Sequence, residues 1–181
     1  VTFFKHDGEA VKKGEIAFKV EGPAQSILSA ERLVLNCMQR MSGIATSTNE
    51  YIDRVEGLNT KILDTRKTTP GFRFLEKEAV RIGGGMNHRM GLYDMIMLKD
   101  NHIDFAGGIE QAITKTKQYL KERNLNLKIE VEARNLAEIE EIMRVAGINR
   151  IMIDNFSPAQ TVDAVKLING KYETETSGNV N

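Results

Sequence analysis

From Gly57 onward the sequence alternates between short strand-like runs and helix-like runs, and no other feature restricts the possible fold as much. The strand candidates are residues 61–64, 95–98, 127–131, 151–153 and 172–176, with helical spacing between them at about 74–82, 109–122, 136–146 and 158–168. In the third of these helices Leu136, Ile139, Ile142 and Met143 share a face, and Gly147 marks its stop. Such an order implies a parallel sheet. An open doubly wound sheet and a barrel both satisfy it, so the strand ends must separate them. The runs end in Asp64-Thr65-Arg66-Lys67, Lys99-Asp100-Asn101-His102, Glu130-Val131-Glu132, Asp154-Asn155 and Glu175-Thr176-Ser177-Gly178. Polar groups at every carboxyl end suit the rim of a (β/α) barrel, whereas an open sheet gathers its ligand groups at one switch point. Five strands are too few to close a barrel, so the expectation is an incomplete one.

Upstream the pattern differs. Residues 1–28 read as β-rich, punctuated by Gly8, Gly14 and Gly22. A long helix is expected over about 29–56, with Val34, Met38, Met41, Ala45, Thr48, Ile52 and Val55 on one stripe. Ser29 is its expected N-cap and Gly57 its C′ residue. Gly43 interrupts it, which calls for close packing against a neighbour or a break between two helices. The chain opens on Val1 inside a strand-like run and stops just after another, so it reads as a piece of a longer protein.

Charge narrows the function classes. Lys plus Arg is 25 and Asp plus Glu is 25, which argues against a general nucleic-acid binder. No apolar run approaches the roughly 20 residues of a membrane span, and no segment reads as a signal peptide. The single cysteine, Cys37, makes neither an internal disulfide nor a thiolate zinc site, and a cytoplasmic location is the simplest expectation.

The rim candidates sort by sign. Arg66, Lys67, His88, Arg89 and Lys99 form a basic set, and Glu132, Asp154 and Glu175 an acidic one. Arginine recognises carboxylate or phosphate through two points and lysine acts as a point charge. Carboxylates hold hydroxyls and Mg²⁺. Ser177-Gly178 forms a small-residue turn of the kind that offers backbone N–H groups to phosphate. Glu130 shares a strand face with Glu132 and is expected in an interior salt bridge. Asp94, Asp100, Asn101 and His102 are candidate supports, while Met38, Met41, Met95, Met97, Met143 and Met152 are read as core filling.

Five runs carry a resemblance: Glu31-Arg32-Leu33-Val34-Leu35-Asn36, Met41-Ser42-Gly43-Ile44-Ala45-Thr46, Asp64-Thr65-Arg66-Lys67-Thr68-Thr69-Pro70-Gly71, Gly83-Gly84-Gly85-Met86-Asn87-His88-Arg89-Met90-Gly91-Leu92-Tyr93-Asp94 and Lys99-Asp100-Asn101-His102-Ile103. In this order they closely resemble the quinolinate phosphoribosyltransferase family, over essentially the whole chain. The resemblance implies an α/β fold: an incomplete (β/α) barrel of the phosphoribosyltransferase type over 58–181, preceded by part of a small α+β sandwich domain over 1–28. Residues 29–57 would be a long helical connection and dimer-interface region. The implied reaction joins quinolinate to phosphoribosyl pyrophosphate with Mg²⁺, giving nicotinate mononucleotide, pyrophosphate and CO₂. By resemblance, Arg66, His88, Arg89 and Lys99 hold quinolinate, Lys99 lies near both substrates, Thr65 is a further substrate-binding residue, and Arg32 reaches a neighbouring site across a homodimer. Lys67 meets the phosphoribosyl donor. Glu132 and Asp154 hold ribose hydroxyls and Mg²⁺, with Lys67, Glu132 and Asp154 the catalytic set. Ser177, Gly178 and Asn179 line the phosphate site, although many family members carry Gly where Asn179 stands.

Three other readings compete. A barrel aldolase would use Lys67 or Lys99 as a Schiff-base nucleophile. A related phosphoribosyltransferase would take nicotinate. A binding or assembly fragment would have no turnover and exposed strand edges.

Overall fold

The computed structural model describes residues 1–178 and 180, and the chain forms two compact units, Val1–Met90 and Gly91–Asn181. In the first, β1 (Thr2–Phe3) and β2 (Phe18–Lys19) pair antiparallel, with the Phe3 and Phe18 rings 6.3 Å apart. The β-rich expectation for 1–28 thus reduces, among the described residues, to two two-residue strands. The turns at Gly8 (φ 86°) and Gly14 (φ 89°) leave only a short ribbon, and a lone two-stranded ribbon extends poorly without a sheet to join.

Helix α1 spans Ala24–Arg54 without a break and packs against α2, Arg73–Ile82. It begins earlier than the sequence suggests. Pro23 occupies the N-cap position, and Ser29 lies inside, its hydroxyl donating to the Gln25 carbonyl at 2.8 Å. Its C-cap is Val55, so Gly57, at φ 78°, turns the chain two residues beyond it. At Gly43 the helix is continuous, so the expected break is absent, and within this chain an added Cβ would meet nothing within 4 Å. The close approach comes at Gly83 and Gly85 instead. A Cβ on Gly85 would lie 2.7 Å from Val80 Cγ1 and 2.9 Å from Thr48 Cγ2, so the loop after α2 fits against α1 only without side chains. The first expected strand, 61–64, is a single parallel bridge from Leu63 to Met86.

The second unit carries β3 (Ile96–Leu98), α3 (Asp100–Ala106), α4 (Ile109–Glu122), β4 (Ile129–Ala133), α5 (Leu136–Val145), β5 (Arg150–Asp154), α6 (Pro158–Ile168) and β6 (Glu173–Ser177). All pairings are parallel and the order β3-β4-β5-β6 runs without reversal. Local chemistry starts the helices. Asn135 caps α5 by accepting from the Glu138 N–H, and α6 opens with a Ser157–Gln160 capping box and Pro158 in its first turn. Strand β4 sits two residues later than expected. The seven-residue α3 has no counterpart in the sequence reading, because two turns are too few to display a helical period.

The two faces of this sheet differ completely. Leu98, Ile129, Val131, Ala133, Ile151 and Ile153 lie on one face and form a core with Ile103, Ile113, Ile139, Ile142, Ala164 and Ile168 from α3 to α6. The opposite face carries Met97, Glu130, Glu132, Arg150, Met152, Asp154, Glu173, Glu175 and Ser177, level by level across the strands. Right-handed crossovers that always advance in one direction place every helix on the same side, as in a barrel. Of the methionines read as core, Met95 and Met152 are buried, whereas Met38 is 38% exposed on α1.

Candidate functional site

The first unit places its cations on two short segments, 65–67 and 88–89, that leave the Leu63–Met86 bridge in the same direction. Asp64 ties them together. Its Oδ1 accepts from the Lys77 ammonium and, at 2.8 Å, from the His88 backbone N–H. Its Oδ2 accepts from Asn87 Nδ2 at 2.5 Å. The Asn87 amide also donates to the Lys77 carbonyl at 2.7 Å. Farther along, the Arg73 guanidinium donates to the Arg66 carbonyl at 3.3 Å, the Met90 carbonyl at 3.2 Å and Thr68 Oγ1 at 3.2 Å. Thr65 Oγ1 accepts from the Lys67 N–H at 3.0 Å, which turns the exposed Lys67 side chain outward. His88 Nδ1 accepts from the Arg89 N–H at 2.7 Å.

One donor stands out: Arg66 Nε is buried and meets no acceptor among the described residues. A buried donor left unmade is costly, and a carboxylate or phosphate oxygen would satisfy it. Behind this cluster, Glu76 accepts from Arg40 Nε at 2.6 Å and from the Thr69 N–H at 3.1 Å. Burial pushes the Glu76 carboxyl up, but the hydrogen bonds from Thr69 and Arg40 outweigh it and hold it below its ordinary value. Arg32 is exposed on α1 and stands outside this network.

The second unit places Lys99 at the end of β3, where its N–H donates to His102 Nδ1 at 3.1 Å. Glu132 is 8% exposed on β4, and the backbone N–H of Asp100 at the start of α3 is close enough to favour its charged form. Burial raises the Glu132 carboxyl above its ordinary value, the charges of Asp154 and Asp100 push the same way, and Lys99 opposes them. Asp154 ends β5, level with Ser177 on β6. Asn155 links the two: Nδ2 donates to Asp154 Oδ2 at 2.6 Å, and its N–H donates to the Ser177 carbonyl at 2.8 Å. Asn155 adopts a left-handed φ of 57°. Gly178 follows at φ 78°, where a Cβ would come within 2.7 Å of Asn155 Cγ. Asn179 lies outside the described residues. Deeper on the same face, Arg150 meets Glu173 at 2.9 Å, Glu175 at 3.0 Å and the fully buried Glu130 at 3.6 Å, the interior ion pair expected for Glu130.

The structure thus brings Thr65, Arg66, Lys67, His88 and Arg89 into one framework and Lys99, Glu132 and Asp154 into another, with Ser177 and Gly178 tied to Asp154. Of the supporting candidates, Asp100 and His102 touch Glu132 and Lys99, and Asp94 accepts from the Gly91 N–H at 2.9 Å. Sequence reasoning did not single out Asp64, Lys77, Arg73 or Asn155. Asn155 had a signal, an Asn directly after a strand-ending Asp, where a left-handed residue would sit. A fully buried Lys77 on a charged ten-residue helix had none.

A parallel sheet wound in one direction, helices on one face and ionisable residues on the other, defines an α/β protein of the barrel class. The family model described as quinolinate phosphoribosyl transferase, C-terminal domain, matches residues 44–181, and that of the N-terminal domain matches 1–42. The chain belongs to the quinolinate phosphoribosyltransferase family. It is 47% identical over 194 residues to a mitochondrial quinolinate phosphoribosyltransferase (decarboxylating) of Nicotiana tabacum, covering 99% of this chain and 55% of that one. It is 46% identical over 176 residues to the probable nicotinate-nucleotide pyrophosphorylase (carboxylating) of Bacillus subtilis, covering 97% of this chain and 60% of the other. The crystal structure of NadC from Streptococcus pyogenes superposes with a TM-score of 0.90 at 41% identity, over 98% of this chain and 61% of that one. The chain spans about half the length of the curated relatives it matches.

Proposed function

We propose that the protein carrying this chain transfers the phosphoribosyl group of phosphoribosyl pyrophosphate to quinolinate, releasing nicotinate mononucleotide, pyrophosphate and CO₂. The buried, unpartnered Nε of Arg66 carries this reading, since a substrate carboxylate would satisfy it on the segment that Asp64 ties to His88. Arg66, His88, Arg89 and Lys99, with Thr65, would hold the two carboxylates, and Lys67 the phosphoribosyl donor. Ser177 and Gly178 would offer the turn for the 5-phosphate, together with Asn179. Glu132 and Asp154 would hold the ribose hydroxyls. They also fit Mg²⁺ as carboxylate oxygen donors at neighbouring strand ends, and a cation there would offset the burial, and after it the charges of Asp154 and Asp100, that raise Glu132. The ion would neutralise pyrophosphate charge when bound.

Pyrophosphate departs from ribose C1 through an oxocarbenium-like state, whose positive charge the two carboxylates steady. The pyridine nitrogen attacks C1, the quaternised ring stabilises the electron pair left at C2 as the 2-carboxylate departs as CO₂, and C2 then takes a proton from water to give nicotinate mononucleotide. No separate organic cofactor is needed for that step.

The exposed Leu28, Leu33, Val34 and Leu35 around Arg32 on α1 support a homodimer in which Arg32 completes the neighbouring site. No described helix is long and apolar enough to cross a membrane. We assign the protein to the cytoplasm, with fractionation as the check, since the relatives include mitochondrial and chloroplastic forms.

Product chromatography tests the reaction. Quinolinate, phosphoribosyl pyrophosphate and Mg²⁺ are supplied to this chain and to the same sequence extended to its relatives' length. Nicotinate mononucleotide should form with the extended protein, and quinolinate should outcompete nicotinate. Preferred use of nicotinate would move the assignment to a related pyridine-base enzyme, and no product from a folded dimer would overturn it.

A further inference from the structure

The buried pair of Asp64 and Lys77 lies behind the cationic segments, and stability does not account for it. Side-chain exposure is 1% for Lys77 and 6% for Asp64. Removing two such charges from water is expensive, and an apolar pair of similar volume commonly serves a fold equally well or better. The geometry does account for it. Asp64 stands two residues before Arg66, and its carboxylate takes the His88 N–H at 2.8 Å and the Asn87 amide at 2.5 Å. Lys77 holds that carboxylate in place from α2. The Met86 N–H donates to the Ile62 carbonyl at 2.8 Å, and the Asp64 N–H to the Met86 carbonyl at 3.2 Å. Arg73 then bridges the Arg66 and Met90 carbonyls farther out. The two segments are therefore pinned to each other at both ends, and the pin nearest the bridge is the one made of buried charge.

We propose that Asp64 and Lys77 are positioning residues that fix the spacing between the Arg66 segment and the His88–Arg89 segment, and so set the preference for a vicinal dicarboxylate over a monocarboxylate. This rests on the proposed function. An aromatic ring holds two neighbouring carboxylates at one separation, so a receptor of fixed spacing rewards both at once. A monocarboxylate engages one segment and gains nothing from the spacing.

The test measures calorimetric affinity for quinolinate and for nicotinate, beside amide hydrogen exchange over residues 86–90 and melting. It uses this chain, alone and extended to its relatives' length. Asp64→Leu combined with Lys77→Met removes the charges together and avoids a stranded ammonium. Asn87→Ala removes the exposed contact to Asp64 and the amide's bond to the Lys77 carbonyl, and leaves the buried charge pair in place. The double variant should lose about tenfold or more of the quinolinate-to-nicotinate preference, with faster exchange at His88 and nicotinate affinity little changed. Asn87→Ala should lose about twofold to threefold of the preference while remaining folded, with a melting midpoint lowered less than in the double variant. Equal losses for both ligands would make the pair merely structural and overturn the inference. Should the double variant fail to fold, an unchanged preference in Asn87→Ala overturns it as well. A wild-type protein without preference for quinolinate would overturn the proposed function and this inference together. A wild-type preference that survives in the variants overturns the inference alone.

Discussion

Glu76 in the first unit and Glu132 in the second meet opposite conditions, although Glu130, Glu173 and Glu175 of the second unit share the cation of Arg150. In Val1–Met90, Asp64 and Glu76 are enclosed by donors: Lys77, Asn87 and the His88 N–H around one, Arg40 and Thr69 around the other. Glu76 is held below its ordinary value as a result. In Gly91–Asn181, Glu132 is enclosed mainly by acids and apolar surface, and it is pushed up. The first arrangement satisfies both carboxylates and leaves Arg66 Nε without an acceptor among the described residues. The second keeps an anion under strain and short of cations. Donors close to a carboxylate favour its charged form, whereas burial beside other acids disfavours it.

Neutralising the strained acid should have the largest effect. Glu132→Gln is expected to lower turnover about a hundredfold or more while leaving quinolinate affinity near its original value. The same change should raise the melting midpoint at neutral pH. A raised carboxyl binds its proton more tightly folded than unfolded. Its contribution to stability is therefore present below about 4.5 and lost as pH rises through the folded value. Steady-state kinetics beside calorimetric melting from pH 4 to 8, about the range that spans the titration, checks both halves. Equal losses of turnover and quinolinate affinity would break the assignment of Glu132 to the ribose and metal.

The paired acid should behave with the opposite sign. Glu76 contributes stability above 4.5 that disappears as pH falls through its lowered folded value. Glu76→Gln should lower stability at neutral pH by about 1–2 kcal/mol, the lower part of the range for charged hydrogen bonds because Arg40 is half-exposed. It should also flatten the acid limb of the pH profile. Denaturant titrations at pH 4 and 7, on either side of the ordinary carboxylate value, distinguish this from a uniform loss, which would mean that packing and not charge holds Glu76.

The same contrast explains what was legible in the sequence. Helices α4 and α6 fall on the expected residues because their apolar periods are long and their stops are Gly and Asn. The direction of winding was legible from polar residues at strand ends, since Glu132, Asp154 and Ser177 occupy one sheet face by alternation alone. The Asp64 framework was not legible. It joins residues 64, 77, 87 and 88 across three segments, and burial of Lys77 depends on how α2 seats, which no local period records. The ribbon at 1–28 failed differently: alternation marked strands, but nothing in it marks how much sheet is present to extend them.

Two glycines in the first unit sharpen the picture with smaller effects. Gly85→Ala should destabilise by about 1–3 kcal/mol, because its Cβ would crowd Val80 and Thr48 where the loop carrying His88 meets α1. If that loop belongs to the scaffold, melting and quinolinate affinity should fall together. Gly43→Ala should do the reverse. Its site lies inside α1 with nothing within 4 Å, so alanine should add up to about 1 kcal/mol through helix propensity alone. Melting at two protein concentrations gives the check. Stabilisation at both means that this face of α1 stays open to water. A loss that grows with concentration means that a second chain packs on Gly43, which would place the contact expected of the homodimer on the same helix that carries Arg32.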